Sequence, residues 1–157
     1  MNSIYEKFKT VVNHFRLTEG KRWHEQCNIF LIKSLSSIEK GEFDCFYNEL
    51  ISNGFLEDNN GDYYLTKKGE LLVYGEENDP TFKIFQELYR LDMGENSCWQ
   101  FQAYNSFKAS LNPVEEKAFC STIKNLISEG IFELNDFDNM LIVTKKGEEK
   151  IKELFYK

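Results

Sequence analysis

The sequence predicts a mainly helical α+β protein with small β-hairpins, built by internal duplication as two copies of one module. Three observations lead to this prediction: a repeat along the chain, apolar residues spaced three and four apart, and a turn-forming run between two short apolar segments in each half. The repeat divides the 157 residues into two predicted domains, 1–77 and 78–157.

The repeat appears when the sequence is moved along itself by 76 positions, which aligns residues 4–57 with 80–133 without a gap. The identical pairs include Trp23 with Trp99, Gln26 with Gln102, Leu35 with Leu111, Glu39 with Glu115, Phe43 with Phe119, Leu50 with Leu126, Ile51 with Ile127 and Gly54 with Gly130. If the second copy contains an insertion of two residues, residues 66–70 align with residues 144–148. Hairpin loops tolerate such an insertion and helices do not, so the extra residues indicate a loop.

Each copy begins with two predicted helices. In the first helix of copy one, Ile4, Phe8 and Val12 recur at a spacing of four, which marks one face of an amphipathic helix. The second helix is predicted to run for about four turns. Its inward face is predicted to carry Trp23 in copy one and Trp99 in copy two, both as core residues.

The third helix has the clearest start. The motifs Ser36-x-x-Glu39 and Asn112-x-x-Glu115 both fit a capping box, in which each side chain satisfies a free backbone N–H. In copy one the helix is predicted to extend over residues 37–53. Gly54 and Gly130 follow where a helix favours a left-handed residue at its end.

A β-hairpin is predicted after the third helix. In copy one, strands at residues 55–57 and 63–65 flank a run of Asp, Asn and Gly at 58–62. In copy two the strands are predicted at 131–134 and 141–143. Both copies continue into a capped C-terminal helix that opens with Thr-Lys-Lys-Gly.

This order of elements resembles the winged-helix family. The residues that carry the resemblance follow the third helix: Leu-Ile-x-x-Gly-Phe-Leu-Glu, a turn, and Tyr-Tyr-Leu-Thr-Lys-Lys-Gly-Glu, which ends at Glu70. The hairpin, or wing, is similar to that of bacterial regulators of the MarR and PadR type. The resemblance implies two tandem winged-helix domains and a transcriptional regulator that binds DNA, with its third helix in the major groove and its wing on the phosphates.

Copy two offers the residues better suited to that role. The outward face of its third helix is close to neutral and is predicted to present Lys117, Ser121, Lys124 and Asn125. The basic pairs at the base of each hairpin, Lys67-Lys68 and Lys145-Lys146, are further candidates for phosphate contacts. A solvated first helical turn is the alternative interpretation of these two pairs.

The charge of the chain favours a different partner. Nineteen basic and 26 acidic residues give a net charge of −7, whereas phosphate contacts by Lys and Arg supply most non-specific affinity for DNA. Duplex DNA is therefore disfavoured by charge. The corresponding helix face in copy one offers Lys40, Glu42, Asp44, Asn48 and Glu49, and the wing tips carry Asp58, Asp62, Asp136 and Asp138.

The alternative hypothesis is an acidic winged-helix adaptor that binds a protein and not DNA. Aromatic side chains anchor many protein interfaces, and three aromatic residues fit the predicted core pattern less well than the others. These candidates for protein contact are Phe137, at the wing tip of copy two, and Tyr104 and Tyr5.

Catalysis is not predicted. The sequence has neither a phosphate-binding glycine run nor a nucleophile elbow. His24 and Cys27 are three apart on a predicted helix, a spacing at which two ligands share a metal, but copy two has Gln100 and Ala103 at the same places. We therefore predict no enzyme, no cofactor and no metal site.

The sequence also predicts a cytoplasmic protein. Its N-terminus has no signal-peptide pattern, and no apolar run approaches the roughly 18 residues of a membrane span. Four cysteines lie far apart without CxxC spacing, so we predict buried thiols and no disulfides or metal ligands.

Overall fold

The computed structural model describes residues 2–41 and 43–156, and Met1, Glu42 and Lys157 lie outside the described residues. The chain is mainly helical with two small antiparallel sheets, which confirms the predicted class. It divides into two compact units, unit 1 (Met1–Glu77) and unit 2 (Asn78–Lys157). Each unit has its own hydrophobic core.

The two units contain a similar series of elements. Unit 1 consists of α1 (Asn2–His14), β1 (Arg22–Trp23), α2 (Glu25–Ser34), α3 (Ser37–Gly41), α4 (Phe43–Ser52), β2 (Leu56–Asn59), β3 (Asp62–Leu65) and α5 (Lys67–Tyr74). Unit 2 consists of α6 (Thr81–Arg90), α7 (Phe101–Ser110), α8 (Pro113–Ser128), β4 (Phe132–Leu134), β5 (Leu141–Val143) and α9 (Lys145–Phe155). The third helix predicted in copy one corresponds to α3 and α4.

Both tryptophans lie before the second helix and not on it, so that prediction was wrong. Trp23 belongs to β1, which pairs with β3 and gives the sheet the order β1-β3-β2. In unit 2 a single bridge joins Cys98, next to Trp99, to Ile142. A strand of two residues is too short to show alternation in a sequence. Because α2 and α7 begin after the tryptophans, each helix is ten residues long, which is shorter than the predicted four turns.

The predicted helix caps are confirmed. The Ser36 hydroxyl accepts a hydrogen bond from the Glu39 N–H at 3.2 Å, and the Glu39 carboxylate accepts one from the Ser36 N–H at 3.0 Å. Asn112 and Glu115 form the same box at the start of α8. Gly54 and Gly130 have φ angles of +77° and +81°, as a left-handed helix end requires.

The two hairpins differ in their turns. In unit 1, β2 and β3 are longer than predicted and meet at Asn60 and Gly61, whose φ angles are +55° and +91°. Two successive residues with positive φ are typical of the two-residue turn that suits a twisted hairpin. In unit 2, β4 and β5 are joined by a longer loop over residues 135–140.

Both predicted core tryptophans are confirmed as buried, with exposed fractions of 4% for Trp23 and 1% for Trp99. The prediction of buried thiols holds only in part. All four cysteines are free, but only Cys27 is fully buried, whereas Cys45 and Cys120 are exposed on the third helices. The position of each side chain around its helix decides its burial, and this overrides the general tendency of cysteine to be buried.

Within the described residues, no helix combines the length and the apolar character that crossing a bilayer requires.

Candidate interaction site

The helix face predicted to contact DNA in unit 2 is open to solvent. Lys117, Ser121, Lys124 and Asn125 are all exposed on α8. Their spacing of three and four residues places them on one side of the helix. The structure therefore brings these four predicted residues together.

The corresponding face in unit 1 is described only in part. Glu42 and the side chain of Asp44 lie outside the described residues. Lys40 and Asn48 are exposed, and Glu49 is half-buried beside Tyr5.

Three of the four lysines at the hairpin bases have partners within their own unit. The Lys68 ammonium donates to the carbonyl oxygen of Asn53 at 2.8 Å, and that of Lys146 donates to the carbonyl of Glu129 at 2.6 Å. Both carbonyls belong to the end of a third helix, where basic side chains compensate for missing hydrogen bonds. Lys67 forms a 3.0 Å ion pair with Glu70, which raises the pKa of Lys67. Lys145 is exposed.

The three aromatic candidates for protein contact occupy different environments. Phe137, in the β4–β5 loop, is 98% exposed. Tyr5 is half-buried, with its hydroxyl 3.4 Å from Glu49 and its ring edge-on to Phe55. Tyr104 is half-buried and packs edge-on against the indole of Trp99, with ring centroids 5.3 Å apart. Core packing therefore accounts for both tyrosines, and Phe137 is the exposed aromatic of the three.

A groove of about 270 Å³ lies in unit 2 between α7, α8 and the β4–β5 hairpin, and we call it the unit 2 groove. Its apolar lining includes Trp99, Phe101, Tyr104, Ile123, Ile127 and Leu134. Phe101 is 69% exposed and Leu134 is 49% exposed, so large apolar side chains stand at its edge. Asp138, in the hairpin loop, adds a negative charge to the lining.

The indole N–H of Trp99 is buried and has no hydrogen-bond partner among the described residues. A buried N–H without a partner costs about 1–3 kcal/mol. In unit 1 the corresponding N–H of Trp23 donates to the Asn28 side-chain oxygen at 2.9 Å and to the Tyr47 hydroxyl at 3.0 Å. The difference between the two units thus lies in what surrounds the indole.

Burial raises the pKa of the Tyr47 hydroxyl to about 12, from an ordinary value of 10.0. The unfolded chain therefore loses this proton at lower pH than the folded chain does. Stability from Tyr47 is fully present below pH 10 and is lost as the pH rises towards 12. We expect a slope of at most about 1 kcal/mol per pH unit from this group, because solvent screens a half-exposed side chain.

Urea unfolding between pH 8 and 11.5 measures this slope. The matched variant is Tyr47→Phe, which retains the ring and removes the ionising hydroxyl, and we expect its stability to fall less steeply above pH 10. Parallel pH profiles for the two proteins would contradict the assignment.

Sequence reasoning missed the unit 2 groove, although the aligned copies contain a signal for it. Phe101 and Leu134 replace Glu25 and Asp58 of copy one, so two charged residues give way to exposed apolar ones. A fold needs no apolar side chain at a position where its other copy has a carboxylate. The surfaces of the two units therefore differ in polarity at these two positions.

His24 and Cys27 lie close together at the start of α2. The Cys27 sulfur lies 3.6 Å from the nearest His24 ring nitrogen, but no group of three potential ligands occurs within the described part of the chain. Burial raises the pKa of the Cys27 thiol, which favours its protonated form.

Comparison with known proteins adds no relative: no protein family, no curated protein and no solved structure matches this chain.

Proposed function

We propose that the chain consists of two tandem winged-helix domains that arose by duplication. The order of strands in unit 1 supports this, because β1 lies between the first two helices and pairs with β3 of the hairpin. In unit 2 the bridge between Cys98 and Ile142 occurs at the places that Arg22 and Tyr64 occupy in the aligned first copy. The same long-range pairing at aligned positions supports a common origin.

We further propose that this protein is an adaptor that binds a protein partner through unit 2. The observation that carries the proposal is the unit 2 groove with Phe101 and Leu134 exposed at its edge. Large exposed apolar groups beside a concave surface are typical of protein contacts. Phe137 extends the same hairpin with a nearly fully exposed ring.

The charges near the groove favour a protein over DNA. Asp136 and Asp138 lie in the hairpin loop, where a winged-helix protein approaches the phosphates. The side chains of Lys68 and Lys146 are held by carbonyl oxygens of their own chain. Fewer cations are therefore free to replace the counterions of DNA, and the net charge of −7 opposes the approach of a polyanion.

DNA binding is the second candidate function, and one observation favours it. Lys117 and Lys124 are exposed on one side of α8 together with Ser121 and Asn125. A helix that presents basic and amide side chains in this way has the chemistry to read a major groove.

The adaptor function is tested with variants of unit 2 that carry the residues found at the aligned positions of unit 1. In Phe101→Glu and Leu134→Asp, an exposed apolar side chain becomes the carboxylate of the aligned position, and we expect the fold to tolerate the change. We expect each variant to weaken binding of partners captured from cells by roughly 30-fold, the loss of a contact worth about 2 kcal/mol. The measurement is quantitative capture followed by affinity determination for the captured protein.

Ile32→Glu is the matched control, since Ile32 is 43% exposed on α2 of unit 1, outside the groove. Equal capture by all four proteins would contradict the adaptor. The DNA candidate is tested by fluorescence anisotropy with labelled duplex at about 50 and about 200 mM salt, where we expect no binding. Binding that weakens with salt and with Lys117→Ala and Lys124→Ala would favour DNA instead.

A further inference from the structure

The two aligned tryptophans have different neighbours in the two units. In unit 1 the Tyr47 hydroxyl accepts the Trp23 N–H and in turn donates to the Asn28 side-chain oxygen. In unit 2 the residues aligned with Asn28 and Tyr47 are Tyr104 and Ile123. The Ile123 side chain has no polar atom, and within the described part of the chain the Trp99 N–H has no acceptor.

The ring of Tyr47 lies in unit 1 among residues whose aligned counterparts line the groove of unit 2. It packs edge-on to the Trp23 indole with centroids 6.0 Å apart and stacks on the Tyr63 ring at 4.9 Å. The aligned residues of unit 2 are Trp99, Ile123 and Leu141, and all three line the unit 2 groove. The groove is therefore lined by counterparts of the residues that surround the Tyr47 phenol, and the Tyr104 ring, which packs against Trp99 and Phe119, covers part of it.

An occupant of the groove must meet two requirements. It must be apolar and of a size to lie against Ile123 and Leu141, and it must supply an acceptor for the Trp99 N–H. Unit 1 meets both requirements with one chemical group, the phenol of Tyr47. The indole N–H of Trp99 is fully covered, so access to it requires rotation of Tyr104, whose ring packs edge-on to that indole.

We propose that the unit 2 groove binds a tyrosine side chain of the protein partner, whose hydroxyl accepts the hydrogen bond from the Trp99 indole N–H. This inference rests on the adaptor function and names the group by which the partner is recognised. Asp138 lines the groove and Asp136 is exposed in the same loop, so the partner's tyrosine is flanked by basic residues.

The experiment uses the full chain with its two tryptophans labelled with ¹⁵N and p-cresol, the isolated phenol of tyrosine, as the probe. The Trp99→Phe variant assigns the two indole resonances. We expect p-cresol to move the Trp99 indole proton downfield in a saturable way and to leave that of Trp23 in place. Toluene, which has the same shape without the hydroxyl, is expected to cause no downfield shift.

Two variants supply the occupant from within the chain. Ile123→Tyr introduces the residue that unit 1 has at this position, and we expect it to shift the Trp99 indole proton downfield without any ligand and to abolish p-cresol binding. Ile123→Phe is its matched control and is expected to block p-cresol without the downfield shift. Should either variant fail to fold, the titration of the wild-type protein still decides the question.

The source of the phenol is tested with two short peptides, acetyl-Lys-Tyr-Lys-amide and acetyl-Lys-Phe-Lys-amide. We expect the tyrosine peptide to bind at least about tenfold more tightly than p-cresol, to bind more tightly than the phenylalanine peptide, and to weaken in Asp138→Asn. Binding of p-cresol as tight as that of the peptide would overturn the partner's tyrosine as the source. No saturable shift with p-cresol, or an equal shift with toluene, would overturn the site itself.

These outcomes are separable from the test of the adaptor. Loss of partner capture in Phe101→Glu and Leu134→Asp without phenol binding would retain the adaptor and reject tyrosine recognition. Phenol binding without loss of capture would reject docking at the groove, and with it the partner's tyrosine.

Discussion

Replacing Gly69 with Ala is expected to destabilise unit 1 by about 3 kcal/mol, a value typical of an overpacked contact that cannot relax. A Cβ on Gly69 would lie 2.7 Å from the Leu65 methyl carbon and still closer to the carbonyl oxygen of Phe55. Because the oxygen belongs to the backbone, the strand or the helix must move to admit the methyl group. Urea unfolding of the two proteins measures the loss.

Gly41→Ala is the control, because a Cβ on Gly41 meets no atom of the described residues within 4 Å. In a helix this change is expected to be neutral or to stabilise by up to about 1 kcal/mol. Gly147 occupies the matching place in unit 2, where a Cβ would lie 2.5 Å from the Ile131 carbonyl oxygen, so Gly147→Ala should repeat the effect. Equal free energies of unfolding for the Gly69 and Gly41 variants would contradict the prediction, because they would mean that the backbone near Phe55 moves at little cost.

The same glycine explains the motif Thr-Lys-Lys-Gly. The Thr66 hydroxyl oxygen accepts the Gly69 N–H at 3.0 Å, which caps α5, and lies 2.6 Å from the carbonyl of Gly54, to which it donates. Lys68 binds the neighbouring carbonyl of Asn53. The motif therefore connects the start of α5 to the end of α4 by hydrogen bonds. The short distance between Gly69 and the Phe55 carbonyl requires a residue without a side chain.

Much of the fold was predictable because its signals are local. Capping boxes, helix-ending glycines and turn residues act within four positions of the chain, so the sequence reveals them directly. The strand β1 was not predictable, because its two residues are fixed by pairing with β3 some forty positions later. Trp23 was accordingly assigned to the wrong element but to the right core.

The unit 2 groove was less predictable, because it depends on the sizes of side chains that meet only in the folded protein. Helical spacing alone predicts that Lys117, Ser121, Lys124 and Asn125 share an outward helix face, and all four are exposed. The groove is lined by Ile123 where the aligned position of unit 1 has the larger Tyr47, and no sequence motif reveals a difference in side-chain volume. The difference in side-chain size between Ile123 and Tyr47 becomes visible only when the two halves of the sequence are aligned.

The aligned pair Phe43 and Phe119 carries the other large prediction. Phe119 is fully buried, with its ring 5.3 Å from that of Tyr104 and 5.9 Å from that of Phe107. Phe43 is half-buried beside Phe46, its stacked neighbour. Identical residues at aligned positions thus contribute differently to the two cores.

We therefore expect Phe119→Ala to cost about 4 kcal/mol, as for other fully buried phenylalanines, and Phe43→Ala to cost about half as much. The reason is that Phe46, 4% exposed in unit 1, supplies the core volume that unit 2 lacks at the aligned Thr122. Urea unfolding followed by near-ultraviolet circular dichroism measures both losses. Equal losses would mean that the two third helices contribute equally to their cores, and the difference in burial would then have no energetic weight.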